Sequence, residues 1–337
     1  MQRGKQLVIV LVLALGIAVS AGVPAAAAPS VAPDRSGVFT NGAGSLAYQV
    51  HLPPSYRPGV AIPLLVAVHG CFMTGSGLNS IEDTSRLSDV ADEHGFVVVY
   101  PSQSVLRNLQ LCWNFDRAEH QVRDSGEPSL IAGMTRAVLD EYGLDPGRTY
   151  VAGASSGAAL AVVMGVTYPD LYAAIGVAAG CEYACDPAIR DDPTVTSPTE
   201  TAERAYREMG PRARPVPAFV LQGTADTTVP PFVADRLVTH LAHLDDLAID
   251  GLADGDVPAV PASVEQVSRP GEYPYTRSAY RARDSDTVLI ETYVIDGLGH
   301  RWPGGGRGLF ADPSGPNAAD LLWQFLSTHS KPTSMPS

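Results

Sequence analysis

A serine in a tight turn is the residue of this chain best suited to nucleophilic chemistry. Ser155 is the third residue of the sequence Gly-Ala-Ser-Ser-Gly at 153–157, which follows an apolar run and precedes a helix-like stretch. A strand, a Gly-x-Ser-x-Gly turn and a helix form a nucleophile elbow, which holds a serine hydroxyl on a sharp bend. Side chains at the two glycine positions would collide with the strained backbone of such a turn. The pattern is short, so its meaning depends on the rest of the chain.

Two downstream residues supply what a reactive serine requires. The hydroxyl needs a base to accept its proton and an acid to orient that base, and here the expected chain order is serine, acid, histidine. Asp226 and His300 each follow an apolar, strand-like run. They therefore fall just past the carboxyl ends of strands, where open α/β sheets build their sites. We predict Ser155 as the nucleophile, His300 as the general base and acid, and Asp226 as the orienting carboxylate, with Asp296 as the main rival to Asp226.

Acyl transfer by a serine also needs hydrogen-bond donors for the oxyanion of the transition state. One donor in such an elbow is the backbone N–H of the residue after the nucleophile, which is Ser156 here. The second donor comes from a loop after an earlier strand, and in this chain that loop contains Cys71. We predict the N–H groups of Ser156 and Cys71 as the oxyanion donors.

Strand-like and helix-like segments alternate along the chain, which is typical of a parallel sheet covered by helices on both faces. Strands are predicted at 46–52, 63–69, 96–100, 149–152, 172–179, 218–222 and 287–295, and helices at 79–94 and 130–142. Residues 186–217 are polar and proline-rich, and a capping sequence at 197–200 predicts one helix there. That segment is expected to decorate the surface or to cap the site partly. Residues 245–270 are expected to form a long acidic loop.

Residues 1–28 have the pattern of a secretory signal peptide. Arg3 and Lys5 precede an uninterrupted apolar run at 7–19, and four alanines at 25–28 provide a small-residue cleavage site. The apolar run is too short for a stable membrane span, which disfavours an uncleaved anchor. We therefore expect a secreted, extracellular protein. Residues 29–45 would form an N-terminal extension, residues 46–330 one catalytic domain, and residues 331–337 a tail.

The four cysteines fit an exported protein. An even number suggests disulfides, and four cysteines allow three connectivities. Cys181 and Cys185 are close enough to close a short local loop, which leaves Cys71 to pair with Cys112. A zinc site is the competing interpretation, disfavoured by the short gap, the lack of a second such pair and the oxidising compartment. We predict no metal site and no other cofactor.

The net charge restricts the kinds of partner. The formal charge is −13 at pH 7, and removal of the signal peptide would make it more negative. An acidic surface repels nucleic acids and anionic lipids, so neither a nucleic acid nor, after cleavage, a membrane is an expected partner. The charge suits a neutral ester substrate whose products include acids.

Five sequence motifs together resemble the secreted poly(3-hydroxybutyrate) depolymerase family of esterases, which also includes feruloyl and acetylxylan esterases. The motifs are His-Gly-Cys at 69–71, Cys-Trp-Asn at 112–114, Gly-Ala-Ser-Ser-Gly at 153–157, Gly-Thr-Ala-Asp at 223–226 and Gly-His-Arg-Trp-Pro-Gly-Gly at 299–305. The resemblance extends from about residue 46 to residue 326. It implies an α/β-hydrolase fold, with a mostly parallel central sheet and helices on both faces.

The resemblance also implies residue roles. Ser155, His300 and Asp226 would form the catalytic triad of an acyl-enzyme mechanism. Trp113 and Trp302 would line the substrate cleft, and a plain core role is the alternative for Trp113. His69 and Asn114, from the same motifs, are predicted as further substrate contacts. Aromatic faces suit an apolar polyester or a phenolic acid equally well.

The leading hypothesis is a secreted serine esterase that hydrolyses poly(3-hydroxybutyrate) or its oligomers. A feruloyl or acetylxylan esterase is the alternative within the same chemistry. A non-catalytic binding protein on a hydrolase scaffold and a serine peptidase are the alternatives from other classes. Depolymerases that attack solid polymer usually carry a separate polymer-binding domain after the catalytic domain, and we expect none before Ser337. Soluble oligomers and other small esters are therefore expected as substrates.

Overall fold

A ten-stranded sheet forms the centre of the protein. The computed structural model describes residues 34–331, so the predicted signal peptide and residues 332–337 of the tail lie outside the described residues. The sheet contains β1 (Arg35–Asn41), β2 (Gly44–His51), β3 (Leu64–Val68), β4 (Val97–Ser102), β5 (Thr149–Ala154), β6 (Ala174–Ala178), β7 (Ala218–Gly223), β8 (Ser263–Val267), β9 (Tyr275–Arg281) and β10 (Val288–Ile295). Two short strands, β11 (Trp302–Pro303) and β12 (Ala311–Asp312), pair separately.

The strand order places the parallel part of the sheet in the middle. The order is β1-β2-β4-β3-β5-β6-β7-β10-β9-β8. The six central strands, β4-β3-β5-β6-β7-β10, are parallel to one another. β2 and β1 extend one edge in antiparallel fashion, and β9 and β8 extend the other. Parallel neighbours require crossover connections, and helices provide most of them.

Helices cover both faces of the sheet. They are α1 (Ile81–Ser85), α2 (Leu87–His94), α3 (Gly126–Tyr142), α4 (Ser156–Thr167), α5 (Pro198–Met209), α6 (Phe232–Asp250) and α7 (Ala318–Leu326). Alternate residues of β3 point to opposite faces, so Val66 and Val68 belong to one buried core and Leu65 and Ala67 to another. Residues of α3, α4 and α6 fill the first core, and residues of α2 and α7 fill the second. Burial on both faces explains the uninterrupted apolar sequence of β3.

The predicted helix at 79–94 is instead two helices. Arg86 adopts a left-handed conformation with φ 61°, and its backbone N–H donates to the carbonyl of Glu82 to end α1. The same residue precedes α2. The apolar spacing continues across the break because residues of both helices pack against the same core, so spacing alone could not reveal the break.

The loop expected at 245–270 is confirmed only in part, because two segments of it are regular structure. Residues 245–250 complete α6, which ends at Gly251 with φ 89°. Residues 263–267 form β8, an edge strand whose side chains are mostly exposed. An exposed edge strand lacks the alternation of apolar and polar residues by which strands are recognised. For the same reason β1 was not expected within residues 29–45.

Both predicted disulfides are confirmed. Cys71 is bonded to Cys112, and Cys181 is bonded to Cys185. The four sulfurs are therefore not available as thiolate ligands of zinc. Within residues 34–331, no helix combines the length and the apolar character needed to cross a membrane.

A buried histidine should make the stability of this fold depend on pH. His240 in α6 is fully buried, and its Nδ1 is hydrogen-bonded to Thr201 Oγ1 over 2.9 Å. Burial lowers the pKa of His240 to about 3. In the unfolded chain the imidazole takes up a proton near its ordinary pKa of roughly 6.5. The contribution of neutral His240 to the free energy of unfolding is therefore complete above about pH 6.5, and it is lost as the pH falls from 6.5 toward 3.

A His240→Gln variant removes this titration and tests the effect. Between pH 6.5 and 4, the free energy of unfolding of the wild type should fall by up to about 1.4 kcal/mol per pH unit more than that of the variant. Urea unfolding of both proteins at several pH values measures the difference. Parallel pH profiles would show that His240 does not titrate as described.

Candidate active site

The Gly-Ala-Ser-Ser-Gly sequence forms a sharp turn between β5 and α4. Ser155 has φ 54° and ψ −122°, a conformation that side-chain-bearing residues rarely adopt. Its N–H donates to the carbonyl of Ala178 over 2.9 Å. Its carbonyl accepts from the N–H groups of Ala158 and Ala159, at 3.0 and 3.1 Å. These bonds to β6 and to the first turn of α4 hold the strained residue in place.

Close packing explains both glycines of the turn. A Cβ atom at Gly157 would overlap the carbonyl oxygens of Val68 and His69 at the end of β3. A Cβ atom at Gly153 would overlap the carbonyl oxygen of Gly157. Both motif positions must therefore be glycine, because the turn packs closely against its own backbone and against the end of β3.

Asp226 and His300 form a hydrogen-bonded pair at the ends of β7 and β10. His300 Nδ1 lies 2.7 Å from Asp226 Oδ2. The other carboxylate oxygen accepts from the N–H groups of Thr228 and Val229, at 2.8 and 2.9 Å. Burial alone would raise the pKa of Asp226, but the bond from His300 and the two backbone donors outweigh burial and lower it. The ionised carboxylate fixes the proton of His300 on Nδ1, which leaves Nε2 as an acceptor.

No hydrogen bond or ion pair joins the rival acid, Asp296, to the His300 imidazole within residues 34–331. Asp296 lies exposed beyond the end of β10, and its N–H donates to the carbonyl of Pro274 over 2.9 Å. Of the two aspartates considered from the sequence, the structure therefore places Asp226 beside His300.

Ser155 and His300 line the same cavity, of about 410 Å³, at the carboxyl edge of the parallel strands. In this geometry, no hydrogen bond within residues 34–331 joins the Ser155 hydroxyl to the His300 imidazole. Such contacts are often long in unliganded hydrolases and shorten when a substrate binds. The cavity wall is largely apolar and includes Met73, Ile81, Leu221, Trp302 and Phe310.

The two predicted oxyanion donors lie beside the serine. Neither the Cys71 N–H nor the Ser156 N–H bonds to another backbone group in the described part of the chain. Ser156 is the first residue of α4, where backbone N–H groups lack intrahelical partners and favour negative charge. A Cβ atom at Gly70 would lie 3.2 Å from Ser155 Cβ, so the loop before Cys71 packs against the nucleophile turn. Both N–H groups are available to an oxyanion.

Three of the four predicted substrate contacts lie behind the cavity wall. Trp302 lines the cavity, as predicted. Trp113, His69 and Asn114 are buried and do not line it. The Trp113 indole N–H donates to the carbonyl of His69 over 3.0 Å, and Asn114 is hydrogen-bonded to Glu127. We therefore correct the expectation for these three residues, because their polar groups are used within the protein.

The sequence analysis does not identify the apolar cavity residues or the buried Glu127. Met73, Leu221 and Phe310 come from different elements and look like ordinary core residues, so only the folded structure brings them together. Glu127 stands in a helical sequence where a carboxylate usually faces solvent, and no pattern indicates its burial.

Residues 186–217 contribute none of the residues that line the cavity. The predicted helix in this segment is α5, and Ser197 Oγ accepts from the N–H of Glu200 over 3.1 Å to cap it. The segment approaches the site through Arg190, whose guanidinium donates to the carbonyl of Thr227 over 3.2 Å. In this conformation it supports the loop that carries Asp226 and leaves the cavity uncovered.

The sheet order, the serine turn and the acid–histidine pair define an α/β-hydrolase. The family model described as "Esterase PHB depolymerase" matches residues 46–254, which is more than half of the chain. The protein therefore belongs to the esterase PHB depolymerase family.

Three individual proteins show how the chain relates to characterised esterases. It is 30% identical over 275 residues to poly(3-hydroxyalkanoate) depolymerase C of Paucimonas lemoignei, covering 79% of this chain and 60% of that protein. It is 37% identical over 133 residues to acetylxylan esterase A of Aspergillus ficuum, covering 38% of this chain and 41% of that protein. The chain thus spans about half the length of these two relatives. The solved acetyl xylan esterase of Aspergillus awamori has the same fold, with a TM-score of 0.67, 20% identity, and coverage of 88% of this chain and 99% of that chain.

Proposed function

We propose that this protein is a secreted serine esterase that hydrolyses ester bonds of hydroxyalkanoate polyesters or their oligomers. One observation supports the chemistry above all others. The strained serine of the turn lines one apolar cavity together with a histidine that is hydrogen-bonded to a buried aspartate. The predicted signal peptide and the two disulfides support secretion.

The geometry supports a two-step acyl-enzyme reaction. In the first step, Ser155 Oγ attacks the ester carbonyl carbon while His300 Nε2 accepts the hydroxyl proton. The N–H groups of Cys71 and Ser156 stabilise the oxyanion, and the protonated histidine then gives its proton to the departing alcohol. In the second step, His300 takes a proton from water, the hydroxide attacks the acyl-enzyme, and Ser155 leaves with the proton. The net reaction converts one ester and one water into an acid and an alcohol.

An apolar rim at the cavity mouth favours a polyester over a polysaccharide ester. We define the apolar rim as Phe72, Leu78, Leu109 and Leu309, which are 59%, 96%, 91% and 74% exposed. Each belongs to a loop that supplies cavity-lining residues or is hydrogen-bonded to such a loop. Exposed apolar side chains that cluster on a surface mark a binding site for an apolar partner.

Hydrogen bonds hold the loops of the rim together. The Phe72 N–H donates to the carbonyl of Gln110 over 2.7 Å, and Asn79 Nδ2 donates to the carbonyl of Phe72 over 2.8 Å. The N–H of Leu309 donates to Asn79 Oδ1 over 3.2 Å. The four rim residues therefore lie on loops that are hydrogen-bonded to one another beside the cavity, and their exposed apolar side chains suit the methyl and methylene groups of a polyester chain.

A comparison of substrates tests the proposal. The enzyme should have a higher kcat/KM for 3-hydroxybutyrate oligomers than for acetylated xylo-oligosaccharides or methyl ferulate. Product analysis by chromatography measures all three rates under the same conditions. Faster release of acetate from the xylo-oligosaccharides would assign the protein to the acetylxylan esterases, in line with its similarity to the Aspergillus ficuum enzyme.

The rim can be tested separately from the chemistry. A Leu78→Ser, Leu309→Ser double variant should degrade a polyester film several-fold more slowly, because it loses apolar contact with the polymer. Its turnover of the soluble ester p-nitrophenyl butyrate should stay within twofold of the wild type. Leu252→Ser changes another exposed leucine, 57% exposed and outside the rim loops, and serves as the control. Equal film degradation by the double variant and the control would remove the rim from the proposal.

A further inference from the structure

A buried carboxylate behind the cavity joins the two segments that carry the candidate oxyanion donors. Glu127 lies in the first turn of α3 and its side chain is fully buried. Three N–H donors surround its two oxygens. His120 Nδ1 accepts a hydrogen bond from the Glu127 backbone N–H and lies 4.0 Å from Glu127 Oε2. An acceptor-only group among donors is satisfied in its ionised form.

One side of Glu127 leads to Ser156. Glu127 Oε2 accepts from the Asn114 N–H over 2.8 Å, and Oε1 accepts from the Asn114 side-chain amide over 2.6 Å. The preceding residue, Trp113, donates its backbone N–H to Ser156 Oγ over 3.3 Å. Glu127 therefore fixes the segment that holds the first turn of α4.

The other side of Glu127 leads to Cys71. Glu127 Oε1 accepts from Gln103 Nε2 over 2.5 Å, and the Gln103 N–H donates to His69 Nε2 over 3.0 Å. His69 Nδ1 in turn donates to the carbonyl of Gly70 over 2.7 Å, directly before Cys71. Burial lowers the pKa of His69 to about 4, so its ring stays neutral and keeps both bonds at neutral pH.

We propose that Glu127 is a positioning residue that sets the spacing between the Cys71 and Ser156 oxyanion donors. The inference rests on the proposed function, because it assigns those two N–H groups to the oxyanion. Glu127 does not touch the cavity and acts only through Gln103 and Asn114. Hydrogen bonds from rigid donors to an oxyanion weaken steeply when the donors move by a fraction of an ångström.

Glu127→Gln is the decisive variant because it keeps the shape and replaces one acceptor oxygen by an NH₂ group. At the Oε2 position that group meets the Asn114 backbone N–H, and at the Oε1 position it meets Gln103 Nε2 and the Asn114 side-chain amide, so in either orientation a donor faces a donor. We expect kcat for p-nitrophenyl butyrate to fall by roughly 100-fold, the effect of losing about one oxyanion donor, while KM stays within twofold. Affinity for a boronic acid that forms a tetrahedral adduct should fall by a similar factor.

Glu291→Gln is the matched control, since Glu291 is also a buried carboxylate that accepts from side-chain donors, Arg277 and Tyr293, and it lies in β10 outside the cavity lining. It should leave kcat and boronic acid affinity within twofold of the wild type. If Glu127→Gln does not fold, Gln103→Met, which removes one donor at similar volume, should lower kcat about 10-fold at unchanged KM.

The outcomes separate this inference from the proposed function. An inactive Ser155→Ala protein together with a fully active Glu127→Gln protein would overturn only the positioning role. A Glu127→Gln protein whose KM rises as much as its kcat falls, or whose loss matches that of Glu291→Gln, would reduce Glu127 to general structural support. An active Ser155→Ala protein would instead overturn the proposed function.

Discussion

Replacement of Ser155 by alanine should abolish measurable turnover of p-nitrophenyl butyrate, with a loss of kcat of at least about 10⁴-fold. The variant lacks the oxygen that forms the acyl-enzyme, while the two N–H groups of the oxyanion site remain. Residual catalysis would come only from binding and from those donors, which alone support slow attack by water. Steady-state kinetics with a sensitive fluorogenic ester measures the loss.

The loss must reflect chemistry and not unfolding. Alanine carries the same Cβ atom as serine, so the strained backbone at φ 54° is no more strained in the variant. Its melting temperature should therefore stay close to that of the wild type. A folded Ser155→Ala protein that retained a tenth of wild-type activity would refute the role of Ser155 as nucleophile.

Asp226→Asn should lower kcat by roughly 10⁴-fold while the fold persists. The wild-type carboxylate accepts from His300 on one oxygen and from the N–H groups of Thr228 and Val229 on the other. An asparagine can satisfy the two backbone donors with its oxygen, but it then presents NH₂ to His300. The imidazole must turn its unprotonated nitrogen toward this group, which leaves a proton on the nitrogen that should accept from Ser155.

Asp296→Asn provides the comparison for this variant. It makes the same chemical change four residues before His300, on an exposed side chain. Its kcat and KM should stay within twofold of the wild type. Comparable losses in both variants, or a greater loss at Asp296, would contradict the assignment of Asp226.

Much of the fold was predictable because the central strands are buried on both faces. Residues 64–68 and 97–99 were recognisable as strands, since short, valine-rich, uninterrupted apolar runs are typical of a sheet covered on both faces. The edge strands β1 and β8 were not predictable on this basis. Their side chains are largely exposed, so backbone pairing with β2 and β9 defines them more than side-chain pattern does.

The triad residues of the candidate site were easier to predict from the sequence than the residues that support them. Ser155, Asp226 and His300 follow strands in a fixed order, and the structure places Asp226 against His300 and places His300 in one cavity with Ser155. The motif residues Trp113 and Asn114 were harder to interpret. A sequence motif marks a constrained residue, but it does not distinguish contact with substrate from support of the site, and both of these residues are buried within the protein. Glu127 carries no local pattern, because its partners Gln103 and Asn114 meet it only after folding.

Covalent trapping tests the identity of the nucleophile most directly. The wild-type protein is incubated with diethyl p-nitrophenyl phosphate, which phosphorylates activated serines, and is then digested and examined by mass spectrometry. The account predicts one phosphoryl group per molecule on the peptide that contains Ser155, with loss of esterase activity in step with labelling and no labelling of Ser155→Ala. Full labelling at another residue, or inactivation without modification of Ser155, would contradict it.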